Sequence, residues 1–204
     1  MIENLFGIPV YCGQVANSQL ISEALNRYNI EEGIQVNYPH WRCDCKTTFN
    51  DNLNHKWTQE FYDAIHPNII EYLTTLKPID KFEYMHHGAW VNIYDKGDHQ
   101  EYHSHNDRNI MFSYSYCHKC PKDRENGSDF IFKSPIENLV AYQKEFKEFV
   151  TGYNGYIPDL QEGTLLIFPS WLYHMVSPNR TDERRITISG NIDVRMLSEE
   201  QIES

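Results

Sequence analysis

Basic residues are in short supply in this 204-residue chain: 18 Lys and Arg stand against 29 Asp and Glu, a formal net charge of -11. Such a chain repels phosphate backbones and anionic headgroups, which makes nucleic acid and membrane poor partners. No apolar run approaches the length of a membrane span, and the start, MIENLFGIPVYCG, lacks the basic end and long apolar stretch of a secretory signal. A soluble, cytoplasmic protein is the expectation. Cysteine is sparse and odd in number, at Cys12, Cys43, Cys45, Cys117 and Cys120. An odd set without an export signal argues against a disulfide framework and for reduced thiols. The pairs Cys43/Cys45 and Cys117/Cys120 could hold a structural zinc if the fold brought them together, although one CxC and one CxxC far apart fit two separate thiol pairs better. Internal repeats and low-complexity tracts are absent too.

What is present suits one domain with a sizeable core. Asn17 stands where it can cap a helix, and Leu20, Ile21, Ala24, Leu25 and Tyr28 follow at helical spacing. A second helical pattern runs from Trp57 through Phe61, Ala64, Ile65, Ile69, Leu73 and Leu76, with Pro67 placed to kink or split it. After Lys77-Pro78 the character changes. KFEYMHHGAWVNIY, EYHSHN, NIMFSYSYC, SDFIFKSP, GTLLIFPS, LYHMVSP and RRITISGNIDV are short, rich in β-branched and aromatic residues, and separated by turn formers. Successive strands with no helix between each pair predict an antiparallel sandwich or barrel. The stretch from Glu137 to Tyr156 breaks the pattern as a short helix or long connection, a candidate wall or lid over a site.

The stretch GDHQEYHSHND, from Gly97 to Asp107, crowds His99, His103 and His105 among carboxylates. If EYHSHND is extended, His103, His105 and Asp107 point to one side, and two of the three could hold one metal ion. That spacing alone fits a polar surface strand or loop better. The segment GTLLIFPSWLYHMVSPNRTDERRITISGN adds an isolated His174 and then a strand on which Arg185, Thr187 and Ser189 share one face and Ile186 and Ile188 the other. An arginine pointing into a barrel needs an anion, because an unpaired buried charge is too costly. A close pair of ligands, a distant histidine and an inward cation is the arrangement of non-haem iron sites. Three protein ligands on one face of the metal leave room for a cosubstrate and oxygen, and a guanidinium holds a dicarboxylate bidentately.

At these residues the chain, from Trp90 to Asn191, resembles the 2-oxoglutarate and Fe(II)-dependent oxygenases. It is most similar to their prolyl-4-hydroxylase-like branch and to the oxygenases encoded by phages of marine bacteria. Tyr94, Gly97 and His103 match the family's spacing ahead of its His-x-acid pair; LLIFPSWLYHMVSP and RRITIS match the strands of the distal histidine and the cosubstrate arginine. The resemblance implies a mainly β protein with N-terminal helices and a double-stranded β-helix core of the jelly-roll or cupin type. It would form a single domain over 1–204, with a helical support region, 1–80, and the β-helix over 81–196.

The match departs at one ligand, since the family's Asp or Glu is here His105. Two registers stay open: His103, His105 and His174 as an all-histidine set, or His105, Asp107 and His174 with the usual carboxylate. The first keeps the spacing from Tyr94 and Gly97, and related oxygenases also carry His-x-His here. For the cosubstrate, the resemblance points to Arg185, with Arg184 as the alternative, and to Tyr116, Tyr94 and Thr187 as further contacts; Asn92 is a weaker candidate. Core filling is an equally good role for each tyrosine. His86, His87, His99 and His118 are left as surface or satisfied histidines, and Trp90 and Trp171 as core residues or walls of a substrate pocket. The activity implied is that of a dioxygenase, in particular a hydroxylase, which turns 2-oxoglutarate and O2 into succinate and CO2 while oxidising a peptidyl, including prolyl, or small-molecule substrate. A metal-binding β-barrel without oxygenase activity and a zinc-containing interaction module are the rivals.

Overall fold

The computed structural model describes residues 7–29, 45–49, 56–76, 78, 81–107, 109–123, 125–137 and 154–197. Among them are two helices, α1 (Ser18–Arg27) and α2 (Lys56–Thr75). The strands are β1 (Tyr11–Gln14), β2 (Lys46–Thr47), β3 (Phe82–Tyr94), β4 (Gln100–His103), β5 (Phe112–Lys119), β6 (Phe130–Lys133), β7 (Gly155–Tyr156), β8 (Thr164–Pro169), β9 (His174–Val176) and β10 (Arg185–Met196). They form a six-stranded sheet in the order β1-β8-β5-β10-β3-β2 and a four-stranded sheet in the order β4-β9-β6-β7. Every pairing is antiparallel. The expected mainly β fold with N-terminal helices is therefore present, and the region ahead of β3 adds two strands, β1 and β2, that its composition did not announce.

Both helices form where the apolar spacing places them. Asn17 takes the N-cap position of α1, although its side chain makes no capping hydrogen bond. Helix α2 runs as one element through Pro67, not as two. Its stripe of Trp57, Phe61, Ala64, Ile65, Ile69, Tyr72 and Leu73 is buried with Ile21, Ala24 and Leu25 of α1 against one face of the larger sheet. That face is made of alternate residues: Val91 and Ile93 of β3, Tyr114 and Tyr116 of β5, Leu165 and Ile167 of β8, and Ile186 and Ile188 of β10. A strand's period of two then turns the residues between them inward. A second apolar cluster, including Tyr94, Phe130, Phe132, Leu166, Phe168, Leu172 and Val176, fills the space between the sheets.

Two expectations about the chain need correcting. Cys117 and Cys120 are joined as a disulfide, so the chain is not uniformly reduced and these sulfurs are not thiolates offered to zinc. Cys45 is buried in the interior cluster, while Cys43 lies outside the described residues. The four-cysteine zinc set is therefore not formed. Most of the candidate lid, residues 138–153, also lies outside the described residues.

His86 of β3 stacks on Tyr62 of α2, with ring centroids 3.8 Å apart, and so ties the helix layer to the sheet. Burial, with a smaller push from His66, lowers its pKa to about 4. The unfolded imidazole gains a proton near pH 6.5 while the folded one stays neutral, so this contribution is full above that pH and is lost as pH falls toward 4. In urea titrations at pH 7 and pH 5, the wild-type protein should lose on the order of 1 kcal/mol more than His86→Phe. Equal losses would show that His86 does not carry the effect.

Candidate metal centre

Three imidazoles converge between the sheets. His103 ends β4 and His174 opens β9, and the two face each other directly across the β4–β9 ladder. His105 comes from outside regular structure, because β4 stops at His103. The simple alternation expected of EYHSHND therefore fails after His103, and His105 is placed instead by its backbone N–H, which donates to the Ser170 carbonyl at 2.8 Å. One ring nitrogen from each of the three histidines lies within 4.8 Å of the others, close enough for one metal ion. Asp107 does not belong to that group; it is exposed on the rim of the pocket above.

Each ring is oriented from behind. The Nδ1–H of His103 donates to the Glu101 carbonyl at 2.8 Å, and that of His174 to the Leu172 carbonyl at 2.9 Å. His105 Nδ1 lies 2.6 Å from Asn191 Oδ1, which also accepts from the Ser113 hydroxyl at 2.8 Å. Carbonyl oxygens only accept, so Nδ1 carries the proton on all three rings and Nε2 carries the lone pair, which on His103 faces the Gln100 amide. Aromatic packing stiffens the set further: Phe130 stacks on His174 at 5.1 Å and Phe168 meets its edge at 4.8 Å.

Burial keeps the rings neutral, which is the form that binds a metal. It lowers the pKa of His103, holds His105 at about 4 despite the Asn191 hydrogen bond, and pushes His174 well below the ordinary value with help from its two neighbours. Three neutral nitrogen donors, closely spaced and held in one tautomer, fit a divalent transition metal such as iron(II).

The proposed cosubstrate residues divide between the two faces of the large sheet. Arg185 and Thr187 are both buried, on the inward face of β10, and the Arg185 Nη1 donates to the Ser128 carbonyl at 2.9 Å. Arg184 points outward and pairs with Asp95 at 2.7 Å, which settles which arginine enters the barrel. Tyr94 sits opposite Arg185 in the ladder and donates its hydroxyl to Gln100 Oε1 at 2.8 Å. The Gln100 amide nitrogen in turn lies 3.4 Å from His103 Nε2, which links Tyr94 to the histidines. Tyr116 is on the wrong face. It belongs to the helix-facing core, with its ring 5.8 Å from Phe61, because Ser115 and Cys117 take the inward positions of β5. Asn92 is buried and donates to Ser189 at 3.3 Å. His86, His87, His99 and His118 lie outside the histidine group.

Asn191, Ser113 and Gln100 were not picked out from the sequence. Asn191 had a signal: it continues the inward series Arg185, Thr187, Ser189 by one more step. Above the histidines opens a pocket of about 390 Å³ lined by Trp90 and Phe49 among others, while Trp171 is exposed and not among its walls.

Comparison with known proteins gives the fold and the family. Similar solved structures define the class of fold, the double-stranded β-helix of 2-oxoglutarate oxygenases. A Pseudomonas putida prolyl-4-hydroxylase superposes with a TM-score of 0.61 at 14% identity, covering 93% of this chain and 94% of its own. The viral collagen prolyl hydroxylase of Paramecium bursaria Chlorella virus-1, in complex with 2-oxoglutarate, gives 0.55 at 16%, covering 90% and 94%. HygX from Streptomyces hygroscopicus, with nickel and 2-oxoglutarate bound, gives 0.57 at 9%, covering 91% and 83%. No curated protein matches by sequence. Residues 88–191, just over half the chain, match the family described as "Putative 2OG-Fe(II) oxygenase". The chain belongs to this family of oxygenases, and membership implies Fe(II) and 2-oxoglutarate. No helix among the described residues is long and apolar enough to cross a membrane.

The Asn191 contact gives a direct test of how His105 is held. Asn191→Ala should weaken metal affinity by about 10- to 100-fold with little change in fold, as is usual for groups that orient a ligand. Competition with a chromogenic chelator measures it, and an unchanged affinity would remove Asn191 from the site.

Proposed function

We propose that this protein is an Fe(II)- and 2-oxoglutarate-dependent dioxygenase that hydroxylates a peptidyl, including prolyl, or small-molecule substrate, releasing succinate and CO2. The observation that carries the reading is the convergence of three neutral, Nε2-presenting histidines with a buried arginine on the adjoining inward face. His103, His105 and His174 hold the metal, and Asp107 is not a ligand. Arg185 pairs with the distal carboxylate of the cosubstrate, assisted by the Thr187 hydroxyl. Tyr94 closes that end of the cavity and fixes Gln100 beside His103. Iron with 2-oxoglutarate supplies oxidising power drawn from O2 and the decarboxylation of the keto acid. The chain's own residues fix the ligands, neutralise the cosubstrate carboxylate and shield the site with Phe130, Phe168 and Leu166, which keeps reactive species from water. Residues 1–204 act as one oxygenase domain.

Under anaerobic conditions, Fe(II) plus 2-oxoglutarate should give a weak visible charge-transfer band that His174→Ala abolishes. Arg185→Gln should keep metal binding but weaken 2-oxoglutarate by about 10- to 100-fold, the loss typical of a charge-assisted pair. Oxygen consumption coupled to succinate release separates an oxygenase from a metal-binding barrel without turnover. A saturated metal site that gives no such band overturns the reading.

A further inference from the structure

Cys117 and Cys120 close a short covalent loop, CHKC, at the end of β5. Cys117 is buried and stands opposite Thr187 in the β5–β10 ladder, so its side chain shares the inward face with that residue. One step along β10, from Thr187 to Ile186, is matched by two along β5, from Cys117 to Lys119. The loop therefore spans a bulge, a place where strand direction and side-chain aim depend on local restraint. Arg185 precedes Ile186 at the start of β10.

Leaving Cys120, the chain passes buried Pro121 and reaches Ser128, whose carbonyl accepts from Arg185 Nη1 at 2.9 Å. The setting of Arg185 thus depends in part on how this connection is held. Hydrogen bonds hold it toward β10: the Lys122 N–H donates to Glu183 Oε2 at 2.6 Å, and the Asn126 carbonyl accepts from the Arg180 N–H at 3.0 Å. Toward β5 the disulfide is the covalent tie, beside a 3.4 Å contact from the Cys120 N–H to Glu162 Oε1. The two sulfurs differ in access. Cys117 is 1% exposed, whereas Cys120 is half-buried.

We propose that the Cys117–Cys120 bond is a redox control on cosubstrate binding: oxidised, it fixes the connection that sets Arg185, and reduced, it frees that connection and 2-oxoglutarate binds more weakly. The electron donor is a dithiol. Its thiolate attacks Sγ of Cys120, the accessible sulfur, forming a mixed disulfide and expelling the Cys117 thiolate, which takes up a proton. The donor's second thiol then displaces Cys120, so the protein gains two electrons and two protons and the donor leaves as a disulfide. A site whose competent arrangement is only partly populated loses apparent affinity in proportion. The inference rests on Arg185 and Thr187 holding the cosubstrate, and it concerns how that same site is regulated.

The test uses the full chain. After treatment with oxidised dithiothreitol and unfolding without reductant, three of its five cysteines should react with a thiol reagent; after reduction, all five should. The two forms, freed of reagent, are loaded with Co(II) without oxygen, and 2-oxoglutarate binding is measured by calorimetry. The reduced form should bind it at least about tenfold more weakly while the cobalt bands of the histidine site are kept, and reoxidation should restore the affinity. The double variant Cys117→Ser, Cys120→Ser should have the weaker affinity and should not respond to dithiothreitol, which assigns the effect to this pair and not to Cys12, Cys43 or Cys45. Five reactive thiols in the oxidised sample, or equal affinity in the two forms of the unaltered protein, overturns this inference alone. Absence of 2-oxoglutarate binding in both forms overturns the Arg185 reading together with it. The comparison on the unaltered protein decides the matter even if the double variant does not fold.

Discussion

The coverage of one face of the six-stranded sheet by α1 and α2 is the constraint on which the rest depends. Burying Val91, Tyr116, Ile167 and Ile188 against Phe61, Ile65 and Ile69 fixes the register of four strands at once. A slip of one residue would turn the apolar set inward and the polar set out. With the register fixed, Asn92, Ser113, Ser115, Arg185, Thr187 and Asn191 have no option but to face the barrel, where each needs a polar partner or a ligand. The helices thus act on the site through the register of the strands.

Within the barrel the histidines are held by backbone more than by side chains. Two of the three Nδ1 partners are carbonyls of residues two positions earlier, on the same strand or turn as the histidine they orient. Such a contact depends only on local backbone shape, and so it follows once β4 and β9 pair. His105 is the exception. It leaves the strand, and its orientation relies on Asn191 and Ser113, from β10 and β5. Of the three histidines it is therefore the one most sensitive to the fit between the small sheet and the large one.

An all-histidine set has an electrostatic consequence. In the proposed set no carboxylate ligand would offset the ion, so its positive charge would be balanced by the keto-acid end of the cosubstrate while the distal carboxylate pairs with Arg185. The two carboxylates near the site, Glu101 and Asp107, line the outer pocket instead of the metal.

The sequence by itself determined the helices, seven of the strands, the inward face of β10 and the grouping of His105 and His174 with either His103 or Asp107 in one constellation. All of these follow from periodicity or spacing, which are local properties, or from a family pattern written in those spacings. Only the tertiary structure decided that Asp107 stays on the rim, that Arg185 enters while Arg184 pairs with Asp95, and that Tyr116 serves the helix layer. It also added β1, β2 and β7, strands of two to four residues too short to show a period. Each of those decisions turns on which neighbour a strand pairs with and where an extended run ends. EYHSHND shows this most plainly: the alternation is legible in its letters, but the end of β4 at His103 is set by pairing with β9, a strand about seventy residues away.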